Sequence, residues 1–293
     1  MSPTAQHRVA GNPAPLYAAH VAHLCRAYGA ALADAGYDAL AIHGGAMAAK
    51  SRFDDQDWPF KPSPSFAHWL PLAEPDAWLV VEPGQRPRLY RCHSVSYWEG
   101  PSPSIGDEVW SEIDAALLAP EDIASELPRG RVAFVGEDPA RAAAAGIAAE
   151  HVNPPALMAR LEAVRAIKTD YERECIAEAN RRAARGHQRV FGSFSVGDRS
   201  ELELHLQYLE ATEQDDSQTP YKDIVALGRH AGVLHHVHYD HHATGRAVQS
   251  LLVDAGATCR GYASDVTRTA IKGADEGAAV VFANLIVRLE ALQ

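Results

Sequence analysis

The sequence predicts a protein of two domains, an α/β domain followed by an α+β domain. Its 293 residues exceed one average domain, and the 47% of them that are hydrophobic are ordinary for a globular protein. In the first part of the chain short apolar runs alternate with helical stretches, and later the pattern changes to long helices followed by β-like runs. We therefore expect one domain at 1–165 and a second at 166–293, each able to bury a core.

The first domain is predicted to open with a helix and to continue with short strands. Residues 17–35 carry apolar or aromatic side chains at helical spacing, and Gly36 is a typical helix stop. Helical stretches alternate with apolar runs that are flanked by Gly, Pro or Asp, as strands are. These runs lie at 39–42, 77–81, 88–90 and 132–135.

An aromatic, proline-rich segment, 52–71, separates the first two predicted strands. Its prolines are incompatible with a regular helix or a central strand, so we predict a loop. The loop either packs over the sheet or contributes to a binding surface, and the sequence favours neither role.

The second domain is predicted to begin with two capped helices. Residues 169–172 and 200–203 each have the Ser/Thr-x-x-Glu spacing of a capping box. In the helix that follows Ser200 we expect Leu202, Leu206 and Leu209 to share one face. The segments after it are predicted as strands at 224–227, 250–253 and 266–271, and as a final helix from 277 to the end.

Charge and composition exclude several kinds of partner. The 27 basic and 38 acidic residues give a net charge of -11, so we expect no nucleic-acid partner and no attraction to an anionic membrane surface. The N-terminus lacks the pattern of a signal peptide, and the longest apolar stretch, 277–287, is too short to span a bilayer. The four cysteines form no CxxC pair, which indicates reduced thiols in the cytoplasm.

The main chemical signal is a pair of aspartates, Asp254 and Asp265, on two successive β-like segments. In a hairpin centred between Cys259 and Arg260 they would face each other. Like charges opposite one another destabilise a sheet, so a cation is expected between them. Two such carboxylates can share a pair of hard metal ions that generate hydroxide near neutral pH. The alternative is that either aspartate is an ordinary turn or strand-end residue.

Thr267 is a candidate to support the two carboxylates. Because side chains alternate along a strand, Thr267 shares the side of Asp265, while Arg268 points to the other face. Thr267 would then hydrogen-bond a metal ligand, or it is an ordinary β-favouring surface residue.

A second cluster, residues 235–242, holds five of the fifteen histidines. A His-x-His pattern on a strand places two imidazoles on one face. The cluster is therefore predicted as a mononuclear metal site in its own right or as a substrate-binding strand beside the carboxylates. For His241 and His242 we favour a solvated loop.

These residues resemble the creatinase/prolidase "pita-bread" metallopeptidases. The sequence Asp254-Ala-Gly followed by Tyr-Ala-Ser-Asp265-Val-Thr-Arg-Thr resembles the metal-ligand segment of that family. Residues 167–172 resemble its domain-junction helix, and 220–221, 224–227 and 233–235 resemble its substrate-side strand. Residues 53–61 resemble specifically the bacterial-type Xaa-Pro dipeptidases, or prolidases.

The resemblance implies a ribonuclease-H-like N-terminal domain, followed by the first part of a pita-bread catalytic domain that holds two Mn²⁺ ions, with Co²⁺ or Zn²⁺ as alternatives. Asp254 and Asp265 match two of the family's five metal ligands, with Asp265 bridging both ions. Tyr221, Leu234 and His235 match substrate-pocket positions. His235 is the catalytic candidate, because it would contact the substrate carboxylate or the developing tetrahedral oxygen.

The activity implied is hydrolysis of Xaa-Pro dipeptides by a metal-bridged hydroxide, with side activity on organophosphorus esters. An Xaa-Pro bond is a tertiary amide without an N–H, so a mechanism that polarises the carbonyl suits it. The resemblance also implies a homodimer, and it leaves open whether Asp54 or Asp55 reaches the site of the partner subunit.

The family's His ligand and both Glu ligands lie in its later half, and no Gly-rich His segment occurs in 277–293. We therefore expect a C-terminally truncated chain that is inactive as it stands, with an apolar face that favours association. One alternative is an inactive chain that serves as a binding or dimerising module. Another is an aminopeptidase P or creatinase-like hydrolase of the same fold, against which the segment 53–61 argues.

Overall fold

The computed structural model describes residues 13–53, 55–91, 106–243, 248–272 and 278–291. The chain divides into two compact units, Met1–Cys175 and Ile176–Gln293, and the division falls inside one long helix. Residue 165, where the sequence placed the boundary, lies at the end of the preceding helix. Both units mix helices with strands, which confirms the predicted fold class.

The first unit is built on a five-stranded mixed sheet. Its elements are α1 (Ala14–Ala35), β1 (Ala39–His43), α2 (Pro64–Ala67), β2 (Trp78–Val81), β3 (Arg88–Arg91), α3 (Asp107–Trp110), β4 (Asp114–Leu117), α4 (Ile123–Glu126), β5 (Val132–Val135), α5 (Pro139–Ala144) and α6 (Pro155–Ala166). The strand order is β4-β3-β2-β1-β5. β1, β2 and β3 form an antiparallel meander, while β4 runs parallel to β3 and β5 parallel to β1.

The sequence predicted most of this unit and missed one strand. The helix that begins the unit buries its predicted face, including Tyr17, Leu24 and Tyr28, and it ends at Gly36, whose φ of +71° a glycine adopts without strain. All four predicted strands are present. The sequence analysis did not predict β4, an edge strand whose four side chains are exposed although three of its four residues are apolar.

The aromatic, proline-rich segment 52–71 divides into two parts. Its second part packs into the unit, with Phe66 and Trp69 buried, while in the first part Phe53 and Trp58 are exposed. The exclusion of helix was wrong for four residues, because α2 begins at Pro64, and proline is tolerated in the first turn of a helix. The second part thus has the packing role, and a role of the first part in binding stays a prediction.

The second unit is a three-stranded antiparallel sheet with long helices. Its elements are α7 (Asp170–Val196), α8 (Glu201–Thr212), β6 (Ile224–Leu227), β7 (Ser250–Asp254), β8 (Thr258–Cys259), β9 (Tyr262–Ala263), β10 (Thr267–Ile271) and α9 (Ala278–Glu290). The strand order is β10-β7-β6, and β8 pairs with β9 as a short hairpin. Both predicted capping boxes are present: Glu172 accepts from the Thr169 N–H at 2.7 Å, and Glu203 accepts from the Ser200 N–H at 2.8 Å.

The core of the second unit lies between the helices α7 and α8 and one face of the sheet. Phe194 of α7 and Tyr208 of α8 pack there with Leu251 and Val253 of β7. The predicted leucine face of α8 holds only in part, since Leu209 is buried but Leu206 is 55% exposed. The buried face instead carries Leu204, His205, Tyr208 and Thr212, because the buried Glu201 at the first position of α8 fixes which side faces inward.

The helix α9 differs from the other long helices because its large apolar side chains are mostly exposed. Exposed residues include Val281, Leu285 and Leu289. The predicted first residue, Gly277, lies outside the described residues. Within the described ranges, no helix is both long enough and apolar enough to cross a membrane.

Candidate metal centre

The hairpin that carries the two candidate aspartates has a different register from the predicted one. Asp254 pairs with Thr267, and Thr258 pairs with Ala263. The turn is formed by Arg260 and Gly261, which both have positive φ, +51° and +82°. Two-residue hairpin loops need this conformation, and glycine adopts it without strain, so the centre lies one residue beyond the predicted position. The prediction that Asp254 and Asp265 stand directly opposite one another was therefore wrong.

The two aspartates nevertheless lie close together. Asp265 lies in the irregular segment between β9 and β10, two residues before Thr267, which pairs with Asp254. The Tyr221 hydroxyl lies 2.8 Å from Asp254 Oδ1 and 3.0 Å from Asp265 Oδ1. The structure thus brings Tyr221, Asp254 and Asp265 together.

One hydroxyl proton cannot satisfy two carboxylates at the same time. Burial, followed by the hydrogen bonds to Asp254 and Asp265, raises the pKa of Tyr221, so the phenol keeps its proton. The remaining negative charge calls for a cation, and carboxylate oxygens are the donors that hard divalent ions prefer. Asp254 and Asp265 therefore fit part of an oxygen-rich metal site. In the described part of the chain, no third His, Cys, Asp or Glu groups with them at coordination distance.

The position of Asp254 follows from the alternation of β7. Leu251 and Val253 point into the core with the helices, so Asp254 lies at the end of the strand on the opposite face. The next carbonyl, that of Ala255, hydrogen-bonds His187 Nε2 of α7 at 3.2 Å. Burial lowers the pKa of His187, so the ring stays neutral and can donate to this carbonyl.

The position of Asp265 depends on two small neighbours. The buried Ser264 hydroxyl accepts from the Ala257 N–H at 2.9 Å and donates to the Ala179 carbonyl of α7 at 3.1 Å. At Gly256 a Cβ would overlap the Ser264 carbonyl oxygen and lie 2.8 Å from Pro220 Cγ. Glycine is therefore required two residues after Asp254. Sequence reasoning missed the roles of His187, Ser264 and Gly256, although an isolated glycine beside a strand does indicate close backbone approach.

Other predicted site residues have different surroundings. Thr267 pairs with Asp254 and is exposed. Leu234 is 88% exposed and His235 is exposed, and both lie in a turn rather than in the strand that the resemblance suggested. Among the described residues, no hydrogen bond or ion pair joins these two to the aspartates. Asp55 is exposed, and Asp54 lies outside the described residues.

The histidine cluster is also not a strand. Residues 236–240 have no regular structure, because the chain turns after β6 instead of extending it. His236 therefore does not pair with His238 on one face. It contacts Glu201 and His230 instead, at the start of α8 and just after β6.

Two family models match the chain in succession. Residues 15–162 match the Xaa-Pro dipeptidase N-terminal domain, and residues 174–292 match metallopeptidase family M24. Together they extend over both compact units.

Curated relatives of this chain are bacterial proteins named Xaa-Pro dipeptidase. The protein from Pectobacterium carotovorum is 40% identical over 284 residues, which cover 95% of this chain and 63% of the relative. The one from Klebsiella pneumoniae is 40% identical, covering 87% of this chain and 58% of the relative. The chain thus spans about three fifths of the length of these relatives.

Solved structures of aminopeptidases share the fold. Aminopeptidase P from E. coli superimposes with a TM-score of 0.65 at 19% identity, covering 86% of this chain and 62% of that one. Proline aminopeptidase P II from Yersinia pestis gives a TM-score of 0.64 at 20% identity, covering 85% of this chain and 62% of that one. These likenesses establish the fold alone.

Proposed function

The chain belongs to the Xaa-Pro dipeptidase family of the M24 metallopeptidases, and on this premise we propose that it supplies two metal-ligating aspartates and part of the substrate pocket of an enzyme that hydrolyses Xaa-Pro dipeptides. The observation that carries the proposal is the Tyr221 hydroxyl, which holds Asp254 and Asp265 together at 2.8 and 3.0 Å. The curated relatives, at 40% identity, support the dipeptide substrate.

Asp254 and Asp265 would contribute carboxylate oxygens to a site for two Mn²⁺ ions, or for Co²⁺ or Zn²⁺ in their place. When bound, such ions polarise a carbonyl and lower the pKa of water near neutral pH. Tyr221 keeps its phenol proton and orients both carboxylates. Thr267, opposite Asp254, is proposed to support that ligand through its hydroxyl.

The substrate-side residues would recognise the two ends of a small peptide. An Xaa-Pro bond has no N–H, so the pocket needs no acceptor for it, and recognition depends on the proline ring and the free carboxylate. We assign the apolar contact to Leu234 and the contact with the carboxylate, or with the tetrahedral oxygen, to His235. Both side chains are exposed and free to meet a ligand.

The test is hydrolysis of Ala-Pro and Gly-Pro by the full-length natural protein loaded with Mn²⁺. We expect turnover that Asp265→Asn abolishes, and that His235→Asn lowers mainly through kcat/KM. Absence of turnover in the loaded parent protein would overturn the dipeptidase proposal.

Two further measurements separate the alternatives. Preference for Xaa-Pro tripeptides over dipeptides would favour an aminopeptidase P activity. Turnover by the 293-residue chain alone would refute its role as an inactive binding or dimerising module. The same ions could also support hydrolysis of organophosphorus esters, and these preparations test that activity. Sedimentation of the same preparations tests whether the protein is a homodimer.

A further inference from the structure

A buried carboxylate and two histidines converge at the start of α8. Glu201 Oε1 lies 2.8 Å from His230 Nδ1, and Glu201 Oε2 lies 2.9 Å from His236 Nε2. One ligand atom from each of the three residues lies within 4.8 Å of the other two. The two imidazole rings stack with centroids 4.4 Å apart. Three side chains with metal-ligating atoms therefore surround one point.

The Glu201 carboxylate is an anion in a fully buried position. Its side chain is 0% exposed, and within the described ranges its ion-pair partners are the two histidines, with no Lys or Arg. Burial alone would raise the pKa of Glu201, but hydrogen bonds from the Leu227 and Asp240 N–H groups and from His236 and His230 outweigh it and lower the pKa. A buried anion of this kind is stabilised further by a positive charge.

The carboxylate can accept an ion without losing its backbone contacts. The Leu227 N–H donates to Oε1 and the Asp240 N–H donates to Oε2, both at 2.9 Å. Each carboxylate oxygen has a second lone pair, and these now face the two histidine rings. The Asp240 carboxylate is a fourth donor nearby, because its Oδ2 lies 4.0 Å from His230 Nδ1.

We propose that Glu201, His230 and His236, with Asp240 as the fourth ligand, form a Zn²⁺ site that is separate from the Asp254 and Asp265 pair. Two imidazole nitrogens and two carboxylate oxygens suit a tetrahedral Zn²⁺ ion, whereas Mn²⁺ and Mg²⁺ prefer sets composed of oxygen. In the bound state each ring would carry its proton on the nitrogen that faces away from the ion.

A bound ion would restrain the segment between His230 and His236. His230 lies in the turn after β6, and His236 follows a stretch that forms no strand or α-helix. One ion bound to both would hold the two ends of residues 231–235 against the first turn of α8. This segment carries Leu234 and His235. A consequence for substrate binding rests on the proposed function, whereas the metal site itself does not.

The binding test uses the 293-residue chain after removal of metal with a chelator. In the variant Asp254→Asn with Asp265→Asn, competition titration should still find one Zn²⁺ per chain. Adding His236→Gln should weaken this binding by more than the ~10–100-fold that loss of a residue supporting a ligand costs. Adding His241→Gln, an exposed histidine of the same segment, should leave it unchanged. Equal affinity in the His236→Gln and His241→Gln proteins would overturn the proposal.

A second measurement needs no substitution. In the parent chain Zn²⁺ should protect His230 and His236 from acylation by diethyl pyrocarbonate, while His238 and His241 stay reactive. Co²⁺ in place of Zn²⁺ should give the visible absorption of a tetrahedral N₂O₂ site. Uniform reactivity of all four histidines in saturating Zn²⁺, or an octahedral Co²⁺ spectrum alone, would count against the site.

Discussion

At the scale of single residues, the candidate centre is organised by one proton shared between two anions. Tyr221 contacts both Asp254 and Asp265, and a hydrogen bond to a charged acceptor is stronger than one to a neutral group. The same hydroxyl thus links the two carboxylates.

Tyr221→Phe should destabilise the metal-free chain by roughly 1.5–3 kcal/mol, because it removes a hydrogen bond to charged acceptors. With Asp254→Asn and Asp265→Asn already present, the same change should cost only about 1 kcal/mol, because the acceptors are neutral. Urea unfolding with a chelator present measures both values. Tyr37→Phe, in the other unit, serves as the control and should cost the same in either background. Equal costs for Tyr221→Phe in the two backgrounds would contradict the shared-proton arrangement.

At the scale of elements, the approach of α7 to α8 depends on a glycine. A Cβ at Gly186 would lie 2.6 Å from Tyr208 Cδ2 and 2.7 Å from Thr212 Cγ2, both on the buried face of α8. At Gly192, on the same helix, a Cβ would meet nothing within 4 Å. The two glycines share a helix but differ in what surrounds them.

Gly186→Ala should therefore destabilise the second unit by roughly 1–3 kcal/mol through overpacking. Gly192→Ala should stabilise it by about 0.5–1 kcal/mol, because alanine has the higher helix propensity. Thermal melts of the two variants beside the parent chain provide the comparison. Shifts of the same sign would show that Tyr208 does not pack against Gly186.

The first unit contains a buried ionisable network between α1, the end of α2 and the first turn of α7. His20 Nδ1 lies 2.8 Å from Thr169 Oγ1, and His68 Nε2 lies 3.4 Å from Glu172 Oε1. Burial lowers the pKa of His20 to about 4. Burial alone would raise the pKa of Glu172, but hydrogen bonds from His68 and the Thr169 N–H lower it to about 2.

These shifts predict a loss of stability on acidification in two windows. His20 binds a proton near pH 6.5 in the unfolded chain and near pH 4 in the folded chain. The contribution of neutral His20 to the free energy of unfolding is therefore complete above pH 6.5 and is lost as the pH falls to 4. The contribution of Glu172 is complete above pH 4.5 and disappears toward pH 2. Each amounts to roughly 3 kcal/mol.

His20→Gln should flatten the dependence of stability on pH between 6.5 and 4. His23→Gln, an exposed histidine on the same helix whose charge makes the smallest contribution to the lowered pKa of His20, is the comparison and should change the slope far less. Urea unfolding of the parent chain and the two variants at pH 7.5 and pH 5 measures this change in stability. A parent chain that is equally stable at both pH values would show that His20 is not buried in a neutral form.

At the scale of the whole molecule, the exposed apolar side chains of α9 should govern solution behaviour. Val281 and Leu285 lie one turn apart and are 62% and 48% exposed. Large exposed apolar patches favour association.

Val281→Glu with Leu285→Glu should reduce self-association of the chain and its binding of an apolar dye. Static light scattering over a concentration series measures the first effect. The control is Ala283→Glu on the same helix, which adds charge without removing a large apolar group. An unchanged association constant in the double variant would show that α9 is not the surface responsible.

Features that depend on local chemistry could be predicted from the order of the residues alone. Gly36 ends the first helix, and the boxes at Ser200 and Thr169 begin two others. These features follow from backbone preference and side-chain period, which act over a few residues.

Contacts between residues that are far apart in the sequence could be seen only in the tertiary structure. The partner of Asp254 differs from the predicted one by two residues, because the turn is centred one residue later, on Arg260 and Gly261. Tyr221, 33 residues before Asp254, reaches both aspartates only through the pairing of β6 with β7. The buried face of α8 was set by Glu201 and by packing on Gly186. Glu201 and His236 likewise met only in the folded chain. No local pattern encodes these contacts, because their free energy comes from burial and charge compensation that exist only once the core has formed.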